Sequence, residues 1–228
     1  MPSWTKSLNF SSVKRLATAS LLASALILAP LVEDAVTAAQ PKASVVLAKL
    51  AVKGRAPKTG YDRALFSDGW GSIGNCDTRN YILARDLKSI TWRSSPACTV
   101  ATGILYDPYT GRKINFVRGV GTSTAVQIDH VVAVSDAWQK GAQQLSSSKR
   151  YNFYNDPLNL LAVDGPTNGQ KSDSDAASWL PPNKSFRCAY VARQIAVKYK
   201  YGLWVTSAER SAMAQVLSSC PNQLTPAG

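Results

Sequence analysis

The sequence predicts a single α+β domain behind a cleavable leader, and three observations carry that prediction. Short β-branched runs alternate with segments of helical periodicity, so both kinds of element are expected in one chain. Four cysteines, Cys76, Cys98, Cys188 and Cys220, are even in number and contain no C-x-x-C pair. That pattern reads as a disulfide framework rather than a metal or redox motif. At 228 residues and 45% hydrophobic content, the chain is long enough to bury a core but suits one domain or two small ones.

Residues 1–39 read as a secretory signal peptide. Lys6, Lys14 and Arg15 give a positive start, Leu16 to Val32 is apolar, and Ala35-Val36-Thr37-Ala38-Ala39 supplies an A-x-A-like cleavage site. A membrane anchor is the competing reading, but the apolar run is at the short limit for spanning and is broken by Pro30. Cleavage after Ala39 removes three positive residues and two negative ones (Glu33, Asp34), so the net charge falls only from +12 to +11. No stable membrane association is expected after cleavage. Export also fits disulfides. Three pairings are open; Cys76–Cys98 with Cys188–Cys220 is preferred because each closes a local loop, for about 3 kcal/mol apiece in the chain-entropy model.

Residues 40–60 read as a leader or linker of modest order, and 61–228 as the folded domain. Asp77 to Leu87 is expected to be a helix capped by Asp77 or Thr78, with Tyr81, Ala84 and Leu87 on one face. Thr99 to Tyr106 and Lys113 to Val117 read as strands joined by the turn Asp107-Pro108-Tyr109-Thr110-Gly111. Val126 to Val134 is β-branched and apolar, and a helix is expected to begin near Val134. Ser146 to Arg150 reads as a polar loop, Leu158 to Val163 as a strand, and Asp164 to Gly169 as a turn. Ser172 to Leu180 is expected to be helical, stopped by Pro181-Pro182. Cys188, Val191, Ala192, Ile195 and Tyr199 share a face of a helix that Gly202 can end. A last helix opens with the capping box Thr206-Ser207-Ala208-Glu209. Its tail cysteine would staple it to the head of the preceding helix.

One histidine excludes a three-His zinc centre. That residue, His130, follows Asp129 inside an apolar strand, where two adjacent ionisable groups are costly without partners. Side chains alternate along a strand, so a local distortion would be needed for both to reach one site. Asn159 opens the next strand, Asn168 lies in the turn after it, and Lys171 comes three residues later. Each has an ordinary alternative: a turn asparagine, a buried amide, a solvated lysine. Asp164 fits turn chemistry, and Asp173 and Asp175 fit the start of a helix.

Taken together, DHVVAVSDAW followed by FYNDPLNLLAVDGPTNGQKSDSD resembles the HNH (ββα-metal, His-Me finger) nuclease motif. The variant is the one in secreted proteins related to the C-terminal domain of GmrSD restriction endonucleases. The resemblance extends outward through GRAPKTGYDRALF and CDTRNYILARDL to CAYVARQIAVKYKYGLWVT. It implies a ββα-metal core, within residues 126–180, flanked by helices and a small additional sheet. It implies a metal-dependent endonuclease with Asp129 and Asn168 on one divalent ion, Mg²⁺ or Mn²⁺, and His130 as general base. Asn159 would brace the loop and orient the histidine, and Lys171 would contact phosphate or offset developing negative charge. Departures are Ala133, a proline in many of these proteins, and Gln127, acidic in many; the latter argues against a further carboxylate near the ion.

With 26 Lys and Arg against 14 Asp and Glu, the surface suits a polyanion such as DNA, with RNA as a second candidate, bound without regard to sequence. Arg79, Lys113, Arg118, Arg150 and Lys184 are the candidate backbone contacts. Competing readings are a non-catalytic nucleic-acid or envelope-binding protein, and a disulfide-bonded surface domain.

Overall fold

A computed structural model of the chain describes residues 40–93 and 98–227; the expected signal peptide, 1–39, lies outside the described residues. Seven α-helices and three small antiparallel sheets make up the described part, a mixed α+β fold. In chain order these are α1 (Ala43–Lys49), β1 (Ser72–Ile73), β2 (Cys76–Asp77), α2 (Thr78–Asp86), β3 (Lys88–Trp92), β4 (Val100–Tyr106) and β5 (Lys113–Val117). They continue with β6 (Val126–His130), α3 (Val134–Gln139), α4 (Ser147–Asn155), β7 (Leu160–Asp164), α5 (Gly165–Lys171), α6 (Arg187–Tyr201) and α7 (Ser207–Ser218). The sheets pair β1 with β2, β3 with β4 and β5, and β6 with β7. Both disulfides are the expected local ones, Cys76–Cys98 and Cys188–Cys220.

The stretch expected to be a loose leader instead opens with a packed helix. Ala43, Val46, Leu47 and Leu50 recur at helical spacing and are buried in a core shared with Val191, Ile195, Met213 and Leu217 of α6 and α7. Beyond α1 the chain is tied down as a strap. Lys53 N–H donates to the Val205 carbonyl (3.0 Å), Trp204 Nε1 to the Gly54 carbonyl (3.0 Å), and Ala56 N–H to the Gln139 carbonyl (2.8 Å).

Helix α2 is capped as its sequence indicates, the Asp77 carboxylate accepting from Asn80 N–H. Its buried face, however, runs through Ile82 and Leu83 beside Leu87, and Tyr81 is exposed. Strands β4 and β5 fall where expected. β3 was not anticipated: KSITW is exposed along most of its length, so it carries little alternation to read.

Three segments between β6 and α6 differ from their sequence reading. The polar stretch after Ser146 is helix α4, started by the Ser146 hydroxyl accepting from Lys149 N–H and held by buried Phe153 and Tyr154. The expected turn after Asp164 is helix α5. Asp164 caps it, accepting from Thr167 N–H (2.9 Å) and Oγ1 (2.6 Å), and Pro166 sits in the first turn, where a missing N–H costs nothing. Gly165 is required there, since a Cβ would lie 2.1 Å from the Thr124 carbonyl oxygen. Residues 172–180 form turns rather than a helix. Asp175 is drawn inward, its Oδ2 bonded to Lys140 Nζ at 2.7 Å, while its Oδ1 accepts from Ala177 N–H at 3.0 Å and caps a single turn that does not continue as a helix.

β6 and β7 pair in continuous antiparallel register, Asp129 opposite Leu161 and His130 opposite Leu160, and α5 follows β7 without a linker. The capping box of α7 forms as predicted, and Gly202 ends α6 in the left-handed region at φ 64°.

Candidate functional site

A cavity of about 330 Å³ opens over the end of β6, lined by Asp129, His130 and Asn168 together with Arg63, Ser135 and Asp173. The strand shows no bulge. Both neighbours nevertheless reach the cavity because His130 is the last strand residue and the cavity extends past the strand end to Ala133 and Val134. Asp129 and His130 are each only 5% exposed, so their partners decide what they can do.

The imidazole is fixed by three contacts from two residues, Tyr154 and Trp70. His130 Nε2 lies 2.8 Å from the Tyr154 carbonyl oxygen. A carbonyl only accepts, so Nε2 carries the proton and Nδ1 carries the lone pair. Trp70 stacks on the ring with centroids 5.6 Å apart and planes 8° apart, and the Tyr154 ring packs at 4.4 Å. Burial, then the nearby Arg63 charge, pushes the pKa down to about 3 despite the Tyr154 carbonyl. The ring is therefore neutral at neutral pH, the form a general base requires.

Asp129 is held from behind. Lys171 Nζ donates to its Oδ1 at 2.9 Å, and the Tyr109 hydroxyl donates to its Oδ2. Burial pushes the carboxyl above its ordinary value, while the Lys171 ammonium and the Tyr109 hydroxyl pull it back. Burial and the Asp129 charge drive the Tyr109 hydroxyl well up, which keeps it a donor. Lys171 is fully buried and also donates to the His130 carbonyl at 2.9 Å. It is not among the residues lining the cavity, and its Nζ is spent on Asp129 and the His130 carbonyl, so the structure gives it a bracing contact rather than an open one.

Asn168, on α5, donates from Nδ2 to Gln127 Oε1 at 2.8 Å. That leaves its Oδ1 without a hydrogen-bond partner among the described residues. Gln127 thus orients the amide. Asn159 is fully buried at the start of the β7 segment. Its Oδ1 accepts from Val132 N–H (2.9 Å), its Nδ2 donates to the Val132 carbonyl (3.3 Å), and its own carbonyl accepts from Val131 N–H (2.8 Å). Both ends of the turn leaving His130 are thereby clamped.

Beside the cavity lies a buried ion network. Lys140 pairs with Asp136, Asp175 and Glu209, all at 2.7 Å, and Lys198 bridges Asp136 and Glu209. Arg55, from the strap, closes on Asp136 and Asp175. Apart from Asp136 and Lys140, four residues apart, its members lie far apart along the chain, so the network as a whole has no local sequence signal.

The expected backbone contacts separate into two groups. Arg79 donates to the Ser123 and Val126 carbonyls, Arg118 to Val100 and Asn80, and Arg150 to Leu65 and Leu145. Those three brace the fold. Lys113 and Lys184 are exposed. Residues that sequence reasoning missed are Tyr109, Trp70, Ser135 and Arg63. Tyr109 sits in a Pro-Gly turn that disguises its burial, and only the YDRALF segment gave any hint of Arg63.

Among the described residues no group of three or more His, Cys, Asp or Glu could hold a metal. The remaining candidate is an oxygen pair, Asp129 with Asn168. A carboxylate has about four lone-pair positions, of which Lys171 and Tyr109 use two, and the Asn168 carbonyl oxygen is unpartnered. This donor chemistry fits a hard divalent ion that keeps much of its water.

Comparison with known proteins bears on the same region. The family model for the C-terminal domain of GmrSD restriction endonucleases matches residues 77–216, which includes β6, β7 and α5. An uncharacterized secreted protein of Arthroderma benhamiae is 37% identical over 180 residues, covering 78% of this chain and 84% of that protein. With more than half its length matched by that model, the chain belongs to the family of the C-terminal domain of GmrSD restriction endonucleases.

Proposed function

We propose that the protein is a secreted, metal-dependent endonuclease of low sequence specificity that hydrolyses phosphodiester bonds of DNA, and of RNA as a second substrate class. β6, β7 and α5 would be its ββα-metal (HNH) core. The observation that carries this reading is the meeting of Asp129, His130 and Asn168 at one cavity, with the histidine held as a neutral ring whose Nδ1 lone pair has no partner among the described residues. Membership of the GmrSD C-terminal family supports a nuclease. The secreted label of the Arthroderma benhamiae relative, the two disulfides and the N-terminal segment support export.

Phosphodiester hydrolysis needs a nucleophilic water, relief of charge on phosphorus, and help for the leaving 3′ oxygen. His130 Nδ1 takes the proton from the attacking water, and the Nε2–H bond to the Tyr154 carbonyl keeps the ring aimed while it gains charge. Asn159 fixes the turn that carries the histidine. Asp129 and Asn168 would hold Mg²⁺ or Mn²⁺, which polarises the phosphate and steadies the leaving oxygen when bound. Lys171 and Tyr109 donate to the Asp129 carboxylate and fix its orientation. A net charge of +11 after signal removal draws the polyanion in, with strong salt dependence.

One observation favours a second reading. The Asp129–Lys171 pair is already neutral, which weakens the pull on a cation and suits a non-catalytic binding protein on the same scaffold. Plasmid nicking separates the two. The nuclease reading predicts relaxation of supercoiled DNA in Mg²⁺, none in EDTA, and a loss of about 10²–10⁴-fold in His130→Ala. Gel retardation without nicking in any divalent metal would favour the binder, and undiminished cutting by His130→Ala would remove the histidine from the mechanism.

A further inference from the structure

The geometry points to Arg63, on the strap that precedes the family-matched region, as the residue that grips the phosphate at this cavity. The inference rests on the phosphodiesterase reading and extends it to a residue outside residues 77–216.

Arg63 is the basic side chain among the residues lining the cavity with Asp129, His130 and Asn168. The other cations around the cavity are committed to carboxylates. Lys171 pairs with Asp129, Lys58 with Asp173, and Arg55 with Asp136 and Asp175. Among the described residues Arg63 has no carboxylate within ion-pair distance, and its side chain is exposed. An unpaired cation beside a pocket whose other charged groups are anionic or neutralised is where a phosphate would settle.

The guanidinium is also positioned. Its Nε donates to the Tyr154 hydroxyl at 3.3 Å, and its Cζ lies 5.0 Å from the centre of the Tyr154 ring. Tyr154 is the residue whose carbonyl holds the His130 imidazole. One side chain and its backbone thus index the cation to the base. A planar guanidinium held through Nε and one face still presents an edge that can fork onto two phosphate oxygens, which an ammonium cannot do. Asp62 fixes the turn that carries it, accepting from Ala64 N–H at 2.9 Å. The strap reaches this place because Ala56 and Gly54 are bonded to the body of the domain.

The test uses the mature secreted chain, with Arg63→Gln and Arg63→Lys. Because Arg63 is exposed, both variants should melt with wild type. Two readouts are taken: plasmid nicking in Mg²⁺, and calorimetric binding of a short phosphorothioate oligonucleotide in EDTA. Arg63→Gln is expected to lower kcat/KM by at least about 10²-fold, as loss of one preorganised donor does. It should also weaken binding about tenfold and make the log affinity versus log salt slope shallower by about one. Arg63→Lys should restore the slope but only part of the rate. If wild type nicks DNA and Arg63→Gln matches it in rate and binding, this inference falls while the nuclease reading stands. If wild type binds through Arg63 but cleaves nothing in any divalent metal, the nuclease reading falls and the phosphate grip stands. No binding of the oligonucleotide by wild type overturns the grip.

Discussion

Replacing Lys171 by methionine separates the phosphate contact expected from its sequence from the buried carboxylate partnership seen in the structure. The ammonium is fully buried, 2.9 Å from Asp129 Oδ1 and 2.9 Å from the His130 carbonyl oxygen. Methionine fills similar volume but leaves Asp129 buried with Tyr109 as its one remaining side-chain hydrogen-bond donor among the described residues and without the Lys171 charge. Breaking one side of a buried pair costs about 3–5 kcal/mol, most of it from the stranded partner. In a domain of this size each kcal/mol moves Tm by about 2–4 °C, so a fall of roughly 6–20 °C is expected. Because the stranded carboxylate causes the loss, adding Asp129→Asn to Lys171→Met should recover part of it, giving a coupling energy of about 1–3 kcal/mol. Urea unfolding of the wild type, both single variants and the double variant measures this cycle. A surface lysine that meets phosphate would behave otherwise, with weaker DNA binding and stability within about 0.5 kcal/mol of wild type. That outcome would refute the burial argument and return Lys171 to the substrate.

Three further outcomes follow from the packing. Gly165→Ala should cost about 1–3 kcal/mol and slow nicking, because the new Cβ would strike the Thr124 carbonyl and press on Gln127, which aims Asn168; a melting curve equal to wild type would contradict this. Reducing or removing Cys188–Cys220, whose ends are 32 residues apart, should lower stability by about 3–4 kcal/mol in the chain-entropy model, read by denaturant unfolding of the double alanine variant. Asp175 sets an acid limit. Burial raises its carboxyl, but the Lys140 hydrogen bond and charge outweigh that and hold it at about 2, below the ordinary 3.8. A depressed native pKa gives stability that is present above about pH 4 and fades as pH falls toward 2. After allowance for the part-exposed Arg55 partner this is worth about 1–2 kcal/mol, and unfolding of Asp175→Asn should lack that part of the acid dependence.

What could be read from the sequence was local. The helix caps at Asp77 and Thr206 follow from side chains that bond their own backbone within three residues, and both disulfides close short loops. The order D-H, N, N-x-x-K picked out Asp129, His130 and Asn168, which line the cavity, and Asn159 and Lys171, which are buried beside it, because the spacing reflects two paired strands and the helix that follows. The failures share one cause: contacts between distant segments decided the outcome. Ser146 to Arg150 looked like loop, yet they open a helix that buried Phe153 and Tyr154 hold against the core. Residues 172–180 looked helical, yet Lys140 and Arg55 capture Asp175 and turn the chain inward. The leader looked loose because α1 is a helix of only seven residues, and its partners lie at the far end of the chain. Lys171 looked solvated for the same reason, since burial of an ammonium depends on a carboxylate 42 positions away.

The account turns most directly on whether Asp129 and Asn168 hold an ion beside His130. Anomalous scattering from a crystal of the mature protein soaked in Mn²⁺ measures that. One peak is predicted, between the side-chain oxygens of Asp129 and Asn168, and it should be lost in Asp129→Asn. A protein that nicks DNA in Mn²⁺ but shows its ion elsewhere, with this pair unoccupied, would contradict the account.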